Sequence, residues 1–315
     1  MQFLTRTPNF NFVKYRRVAM VTSTTLSILS ILSVFWPGLN YGIDFTGGIL
    51  VEARYSVAPE LDAIRTELSG AGFESMQVTG SGTDVLIRLP PPAGEEGGAA
   101  STAAVAGLRD RVLEVLRAED PNVAILRADN VGGQVGDELY ENAGLALLFA
   151  LIMIFIYVML RFRWKLAVGA IVATVHDVLV TTGIFALVGW QFDLTVLGSI
   201  LAVLGYSIND TIVVYDRIRD NFRLMRRGTP EVIVNASVNQ TLARTLVTGV
   251  TTLLVLFAMI FLAGDTLWGF SVALVIGIVV GTYSSIYVAS SMALALKVEQ
   301  SDFVEAKKVH ADELP

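Results

Sequence analysis

The sequence predicts a membrane protein: an all-α bundle of six helices, with an extracytoplasmic ferredoxin-like α+β domain between the first and second helices. Composition is the first observation behind this fold class, since 53% of the 315 residues are hydrophobic, 17% are charged and the mean hydropathy is +0.60. The second is a set of six apolar segments of membrane-spanning length. The third is the region 37–138, whose ordinary mixed composition separates the first two apolar segments.

Each apolar segment approaches or exceeds the roughly 20 residues that a helix needs to cross hydrocarbon. The segments are Val18–Trp36, Asn142–Leu160, Leu166–Gly189, Leu194–Tyr215, Thr245–Ala263 and Trp268–Leu296. The first follows basic residues, as a signal peptide does. Its apolar core exceeds the ~7–15 residues of a signal peptide, and it ends in FWPGLNYG without a small-residue cleavage site. We therefore predict a retained helix.

Basic residues predict how the chain crosses the membrane. Lysines and arginines precede the first segment, separate the second from the third and the fourth from the fifth, and follow the sixth; the short loops near Gln191 and Asp265 carry none. By the positive-inside rule both termini face the cytoplasm. The predicted parts are a cytoplasmic N-terminal segment (1–17), the first transmembrane helix (18–36), an extracytoplasmic domain (37–138), a five-helix transmembrane region (139–297) and a cytoplasmic tail (298–315).

The extracytoplasmic region alternates strand and helix patterns in the order β-α-β-β-α-β, which is that of a ferredoxin-like unit. The strands are GGILVEARY, FESMQVTG, TDVLIRLP and NVAILRADNV, and the helices are PELDAIRTELSGAG and STAAVAGLRDRVLEVLRAED. The insert PPPAGEEGGAAS (Pro90–Ser101) predicts a loop. The domain contains no histidine and its carboxylates are dispersed, which favours a binding or lever module over a catalytic one.

The fourth apolar segment contains Asp210, preceded by Asn209 and followed by the apolar run TIVVY. A carboxylate at this depth must face a cavity or a partner, because lipid supplies neither water nor counter-charge. Desolvation penalises the charged form and makes reversible protonation accessible, which predicts a proton relay. The alternative is an interfacial helix end, but the next charge comes only at Asp216.

His176 and Asp177 lie near the middle of the third segment. Neighbouring side chains on a helix point about 100° apart, so we expect that these two cannot form one tight site between themselves. Each then needs a partner from another helix, and Asp210 is a candidate for one of them. Two roles remain open for this pair: a proton relay, and a structural hydrogen bond between helices.

The sixth segment carries small residues at every fourth position, including a GxxxG motif. They are Ala273, Gly277, Gly281, Ser285, Ala289 and Ala293. Such a stripe predicts close helix packing, against a neighbour in this chain or in another.

Several enzyme classes lack their signatures here. The chain has no cysteine, and no GxGD, HExxH, GxSxG or Walker A pattern occurs. We therefore expect no enzymatic activity, cofactor or metal site. Any work would be driven by the membrane gradient, which supplies ~2.3 kcal/mol per charge per 100 mV.

Five motifs, in order, resemble the SecF proteins of the SecD/SecF family: YGIDFTGGILVE, VHDVLVTTGIFAL, GYSINDTIVVYDRIRDNFR, NQTLARTLVTGVTTLL and SSIYVASSMAL. The resemblance implies a six-helix half of the RND type in the bacterial inner membrane. It also implies pairing with a SecD-like protein beside a SecYEG-type channel, and use of the proton gradient to move a translocating polypeptide outward. By this resemblance protons would be the coupling ion, and membrane lipids would surround the helices. No nucleic acid would be bound.

The resemblance also assigns roles to residues. Asp210 matches the main proton-handling carboxylate, and His176 and Asp177 match the HD pair of the family. The DFTGG motif matches a coupling turn where the lever domain meets the membrane, made of Asp44, Phe45, Thr46, Gly47 and Gly48. Two alternatives remain: a subunit of an RND-type exporter of small molecules or lipids, and a non-transporting assembly scaffold of the translocon.

Overall fold

The computed structural model describes residues 8–73, 76–90, 102–131, 133–225, 228–264 and 267–303. Nearly all of the predicted insert Pro90–Ser101 and most of the tail 298–315 lie outside these ranges. The elements in chain order are α1 (Arg16–Ser33), β1 (Asn40–Tyr41), α2 (Ile43–Thr46), β2 (Gly48–Arg54), α3 (Leu61–Gly70), β3 (Gln77–Ser81), β4 (Asp84–Leu89), α4 (Thr102–Glu119), β5 (Ala124–Val131), α5 (Gly133–Arg161), α6 (Trp164–Val188), β6 (Gln191–Phe192), α7 (Leu194–Leu224), α8 (Pro230–Leu262), α9 (Trp268–Ser284) and α10 (Ser290–Ala295).

Six helical spans in the described residues are long and apolar enough to cross a membrane, which confirms the predicted number. They are formed by α1, α5, α6, α7 and α8, and by α9 together with α10. A five-residue π-helical turn, Ser285–Ala289, joins these last two. Helices α5 and α8 expose apolar side chains such as Phe149, Phe257 and Phe261, as helices that contact lipid do.

Two of the helices are longer than hydropathy predicts. Helix α7 has 31 residues and continues to Leu224, and α8 has 33 residues and begins at Pro230 rather than near Thr245. At 1.5 Å per residue these lengths are about 46 and 50 Å, well beyond a hydrocarbon layer of about 30 Å. Hydropathy marks where charges begin, whereas the helices continue because their extensions pack on each other. Asn221 Nδ2 donates to Ser237 Oγ at 2.8 Å, and Phe222 and Val234 are buried in the same core.

The core of the bundle lies where α6, α7, α8 and α10 meet, and Tyr215 of α7 is its largest fully buried side chain. The Tyr215 hydroxyl donates to the Ala289 carbonyl oxygen at 2.9 Å. Gly169 of α6 makes room for this hydroxyl, because a Cβ there would overlap it. The buried tyrosine therefore ties three helices together.

The external domain is a four-stranded antiparallel sheet of order β3-β4-β2-β5 with α3 and α4 on one face. Val51 of the central strand β2 lies opposite Ile87 of β4 and Ala128 of β5. Ile64 of α3 and Leu116 of α4 complete the core under these strands. Element order and pairing confirm the predicted ferredoxin-like fold.

A salt bridge connects the start of α6 to the segment after α10. Lys165 Nζ lies 2.7 Å from Asp302 Oδ2, and each side chain is 19% exposed. Burial alone would raise the pKa of Asp302, but the hydrogen bonds from Lys165 and from the Glu299 N–H, with the Lys165 charge, lower it overall. A lowered pKa in the folded state means that this contact stabilises the fold above about pH 4 and is lost as the pH falls through the folded-state value.

Asp302→Asn should therefore lower the free energy of unfolding by about 0.5–1 kcal/mol at pH 7 and by much less at pH 3. Thermal unfolding of the detergent-solubilised chain at both pH values measures this difference. Asp110→Asn, which removes an exposed partner of Arg109, serves as the control. Equal losses for Asp302→Asn at both pH values would contradict the assignment.

Candidate functional site

Asp210 is held inside the bundle by hydroxyl groups from two other helices. Its side chain is 6% exposed. Oδ1 accepts a hydrogen bond from Thr245 Oγ1 of α8 at 2.6 Å, and Oδ2 accepts one from Ser285 Oγ, directly after α9, at 2.5 Å. Among the described residues no cation forms a salt bridge with it, although the charge of the exposed Arg244 acts on it from α8.

These hydroxyl donors suit a carboxylate that gains and loses a proton. Ser285 Oγ lies 3.1 Å from the Thr282 carbonyl oxygen as well as 2.5 Å from Asp210. A hydroxyl group has one proton and donates it to one acceptor at a time. When Asp210 is ionised, Ser285 donates to it. When Asp210 is protonated, its own O–H donates and Ser285 is free to turn to its backbone acceptor. Both charge states can therefore be satisfied by one set of atoms.

Asp177 is a second buried carboxylate, fully inaccessible to solvent. Its Oδ2 accepts from Ser207 Oγ of α7 at 2.5 Å and from Ser284 Oγ of α9 at 2.6 Å. Its Oδ1 lies 2.9 Å from Nδ1 of His176. The expectation that His176 and Asp177 cannot form one tight site between themselves is therefore wrong. The Cβ atoms diverge, but ring rotation carries Nδ1, one atom from the ring attachment, back towards the neighbouring carboxylate.

The two carboxylates are linked through their donors. Ser207 lies one helical turn before Asp210 on α7, and Ser284 directly precedes Ser285. The π-helical turn begins between these serines, and local π turns recur at functional sites. Among the described contacts, neither His176 nor Asp177 bonds directly to Asp210, the partner that the sequence suggested as a candidate.

In the part of the chain that the structure describes, Asn209 makes no hydrogen bond to this network. Its side chain is exposed on α7, on a different face from the buried Asp210. Sequence reasoning missed the donors Thr245 and Ser284, and it treated Ser285 only as a packing residue. Hydroxyl residues in register on neighbouring apolar helices were the available signal.

The stripe of small residues packs within this chain. A Cβ on Gly277 would overlap the side chain of Val203 in α7, and a Cβ on Gly281 would lie 3.4 Å from Ser207 and 3.5 Å from Asp177 Oδ2. Ala273 and Ala289 are fully buried. The stripe thus brings α9 close enough to α6 and α7 for its serines to reach both carboxylates.

The DFTGG turn lies against the first turn of α7. Asp44 Oδ2 accepts the backbone N–H of Leu194 at 3.2 Å, and Asp193 Oδ1 accepts that of Val196 at 2.9 Å. Two carboxylates therefore cap α7, the helix that carries Asp210. The short parallel pairing of β1 with β6, Tyr41 opposite Phe192, holds the two segments together.

The rest of the turn is tightly fitted. Phe45 is buried beside Phe192, and a Cβ on Gly136 at the start of α5 would overlap its carbonyl oxygen. Thr46 is exposed and its hydroxyl donates to Gly42 O at 3.3 Å. Gly47 and Gly48 have φ angles of +73° and +151°, which residues with a side chain rarely adopt.

A metal centre has no support in the described residues, where no group of three or more histidine, aspartate or glutamate side chains is placed to bind an ion.

Two family models match the chain. The model described as "Protein export membrane protein SecD/SecF, C-terminal" matches residues 111–299, and that described as "SecD/SecF GG Motif" matches residues 33–58. The second match contains the DFTGG turn, and the first contains both buried carboxylates.

Curated relatives match over nearly the whole chain. The protein translocase subunit SecF of Vibrio alginolyticus is 42% identical over 100% of this chain and 99% of its own length. The corresponding subunit of Pseudomonas aeruginosa is 42% identical over 93% of this chain and 94% of its own.

A solved structure is similar in fold. The crystal structure of SecDF, a translocon-associated membrane protein from Thermus thermophilus, superposes with a TM-score of 0.74 at 39% identity. The match covers 91% of this chain and 38% of the SecDF chain, so this chain corresponds to little more than a third of that protein.

Proposed function

Since the chain belongs to the SecD/SecF family and is a protein translocation subunit of the SecF type, we propose that it uses the proton gradient to promote protein export through Asp210. The observation that carries this proposal is the setting of Asp210: a buried carboxylate held by Thr245 and Ser285, without a salt-bridge partner in the described part of the chain. An unpaired charge inside the membrane costs free energy, and protonation of Asp210 removes that cost.

Charge change would drive a shift in packing. Protonation of Asp210 from the outside removes the buried charge and redirects the hydroxyls of Thr245 and Ser285, which belong to α8 and to the turn after α9. The six-helix unit then moves against its partner, and release of the proton to the cytoplasm restores the first arrangement. The His176–Asp177 pair is the second group of this relay, because Ser207 joins Asp177 to α7, which carries Asp210, and Ser284 joins it to the end of α9 beside Ser285.

The movement reaches the external domain through α1 and the DFTGG turn, and the domain alternates between holding and releasing the exported polypeptide. In this scheme residues 37–138 face the outside of the bacterial inner membrane and both termini face the cytoplasm. A SecD-like partner is supported by homologues in which this region is part of a longer SecDF chain. A SecYEG-type channel and the exported chain complete the assembly.

Export by membranes with and without this chain tests the function. The channel, the SecD-like protein, the ATP-driven motor and a model precursor are supplied in both cases. We expect the gradient-dependent part of export to require the chain, and the chain to co-purify with the SecD-like protein and the channel. Absence of both results would favour an exporter. If assembly of the complex requires the chain but the gradient-dependent part of export does not, the result would favour a scaffold.

Ser285→Ala should weaken the gradient-dependent part of export without abolishing it. The variant removes one of two hydroxyl donors to Asp210, which disfavours the ionised form by about 1 kcal/mol and slows turnover by the corresponding factor of about five. Ser199→Ala is the matched control, because among the described contacts that buried hydroxyl donates to a carbonyl of its own helix, Val196 O at 2.6 Å, and to no carboxylate. Equal effects of the two variants would contradict a specific role for Ser285.

A further inference from the structure

One ion pair joins the external sheet to Asp44, the carboxylate of the DFTGG turn that caps the N-terminus of α7. Arg88 of β4 alternates with the core residues Ile87 and Leu89, so its side chain projects from the sheet face opposite α3 and α4. Its Nη1 lies 4.0 Å from Asp44 Oδ2, the same oxygen that accepts the Leu194 N–H at 3.2 Å. A single carboxylate oxygen therefore connects a strand of the domain to the first turn of α7.

Arg88 is held in place rather than solvated. The side chains of Arg88 and Asp44 are 21% and 22% exposed. Arg88 Nη1 also donates to Gln77 Oε1 of the neighbouring strand at 3.3 Å. Its Nε is buried and has no hydrogen-bond partner in the described part of the chain. Sheet and guanidinium therefore move together.

Helix α7 can carry a displacement from this point to the carboxylate network. It runs unbroken from Leu194 to Leu224 and holds both Ser207 and Asp210. Asp210 comes sixteen residues after Leu194, about 24 Å along a regular helix. The covalent route through α1 is less direct, because that helix ends at Ser33 and a non-helical residue, Trp36, follows.

We propose that Arg88 is a positioning residue that couples the external domain to α7 through Asp44. Movement of the sheet pulls on or releases the cap of α7, and so changes the packing around Asp210. The same coupling acts in reverse, since linkage between two sites is reciprocal. This inference rests on the proposed function and adds to it a second, non-covalent route that bypasses α1.

Distance measurements between spin labels test this coupling in the full complex with the SecD-like protein. The chain has no cysteine of its own, so labels can be placed at Glu114→Cys on the exposed face of α4 and at Leu187→Cys near the end of α6. Asp210→Asn mimics the neutral state. We expect it to shift the ratio of distance populations about two- to fivefold when Arg88 is intact, the range that a partly exposed ion pair supports.

Arg88→Gln should reduce the shift that Asp210→Asn causes to about half or less, because only the route through α1 is left, and Arg88→Lys should retain more of the shift. Arg127→Gln is the matched control, because Arg127 lies on the same sheet and pairs with Asp129 at 2.7 Å, within the domain. A full shift in the Arg88→Gln background would overturn the inference and leave the proposed function standing. If Asp210→Asn shifts the distances in no background, coupling of Asp210 to the domain is wrong, and the Arg88 link falls with it.

Discussion

Asp210→Asn should remove the gradient-dependent part of protein export while the complex still assembles. The amide matches the carboxylate in shape and can still accept a bond from Thr245, but it cannot change charge. We expect the gradient-dependent increment to fall by about tenfold or more, because an intramembrane relay has no substitute for its ionisable group. Export of a model precursor into vesicles, with ATP and with or without a gradient, measures this increment.

The control for Asp210→Asn is the same change at Asp216, farther along α7. Asp216 is partly exposed and pairs with Arg161 at 2.9 Å and Arg219 at 3.1 Å. Exposed pairs of this kind contribute about 0–1 kcal/mol, so export should stay near the wild-type level. A gradient response in Asp210→Asn that equals that of Asp216→Asn would make Asp210 a structural residue.

Gly277→Val should destabilise the helix bundle, because it forces α9 away from α7. A Cβ at this position overlaps Val203, which is 1% exposed and cannot move into open space. Overpacking of this kind costs about 1–3 kcal/mol. It would also push the serines after Gly281 away from both carboxylates. The melting temperature of the purified chain should fall by about 3–10 °C.

Gly198→Val provides the comparison for Gly277→Val. Gly198 is also in a membrane helix, α7, but a Cβ there meets no atom within 4 Å. The intrinsic effect of replacing glycine by valine in a helix is therefore shared, and only the packing differs. Two variants with the same melting temperature would show that α9 and α7 are not in close contact at Gly277.

The features that depend on length and periodicity could be predicted from the sequence. Bilayer thickness sets the length of a membrane helix, so apolar runs located all six spans. Alternation and turn residues gave the order of strands and helices in the external domain. The position of Asp210 deep in an apolar run predicted that its side chain is buried, because a carboxylate is not tolerated facing lipid at that depth.

The features that depend on side-chain orientation could not be predicted from the sequence. The contact between His176 and Asp177 is a matter of rotamer, which residue spacing does not determine. Thr245 and Ser284 are ordinary small polar residues of membrane helices. Only the approach of α8 to α7 makes Thr245 a donor to Asp210, and only the approach of α9 to α6 makes Ser284 a donor to Asp177. Asn209 is adjacent to Asp210 in sequence, but a 100° step on the helix carries it to the exposed face.

Proton movement itself provides the decisive measurement. Vesicles containing this chain and its SecD-like partner, with a pH-sensitive dye inside, are given a membrane potential. We predict proton uptake for the wild type and for Asp216→Asn, and none above the protein-free background for Asp210→Asn. Uptake by Asp210→Asn at the wild-type rate would contradict the role of Asp210 as the group that carries the proton.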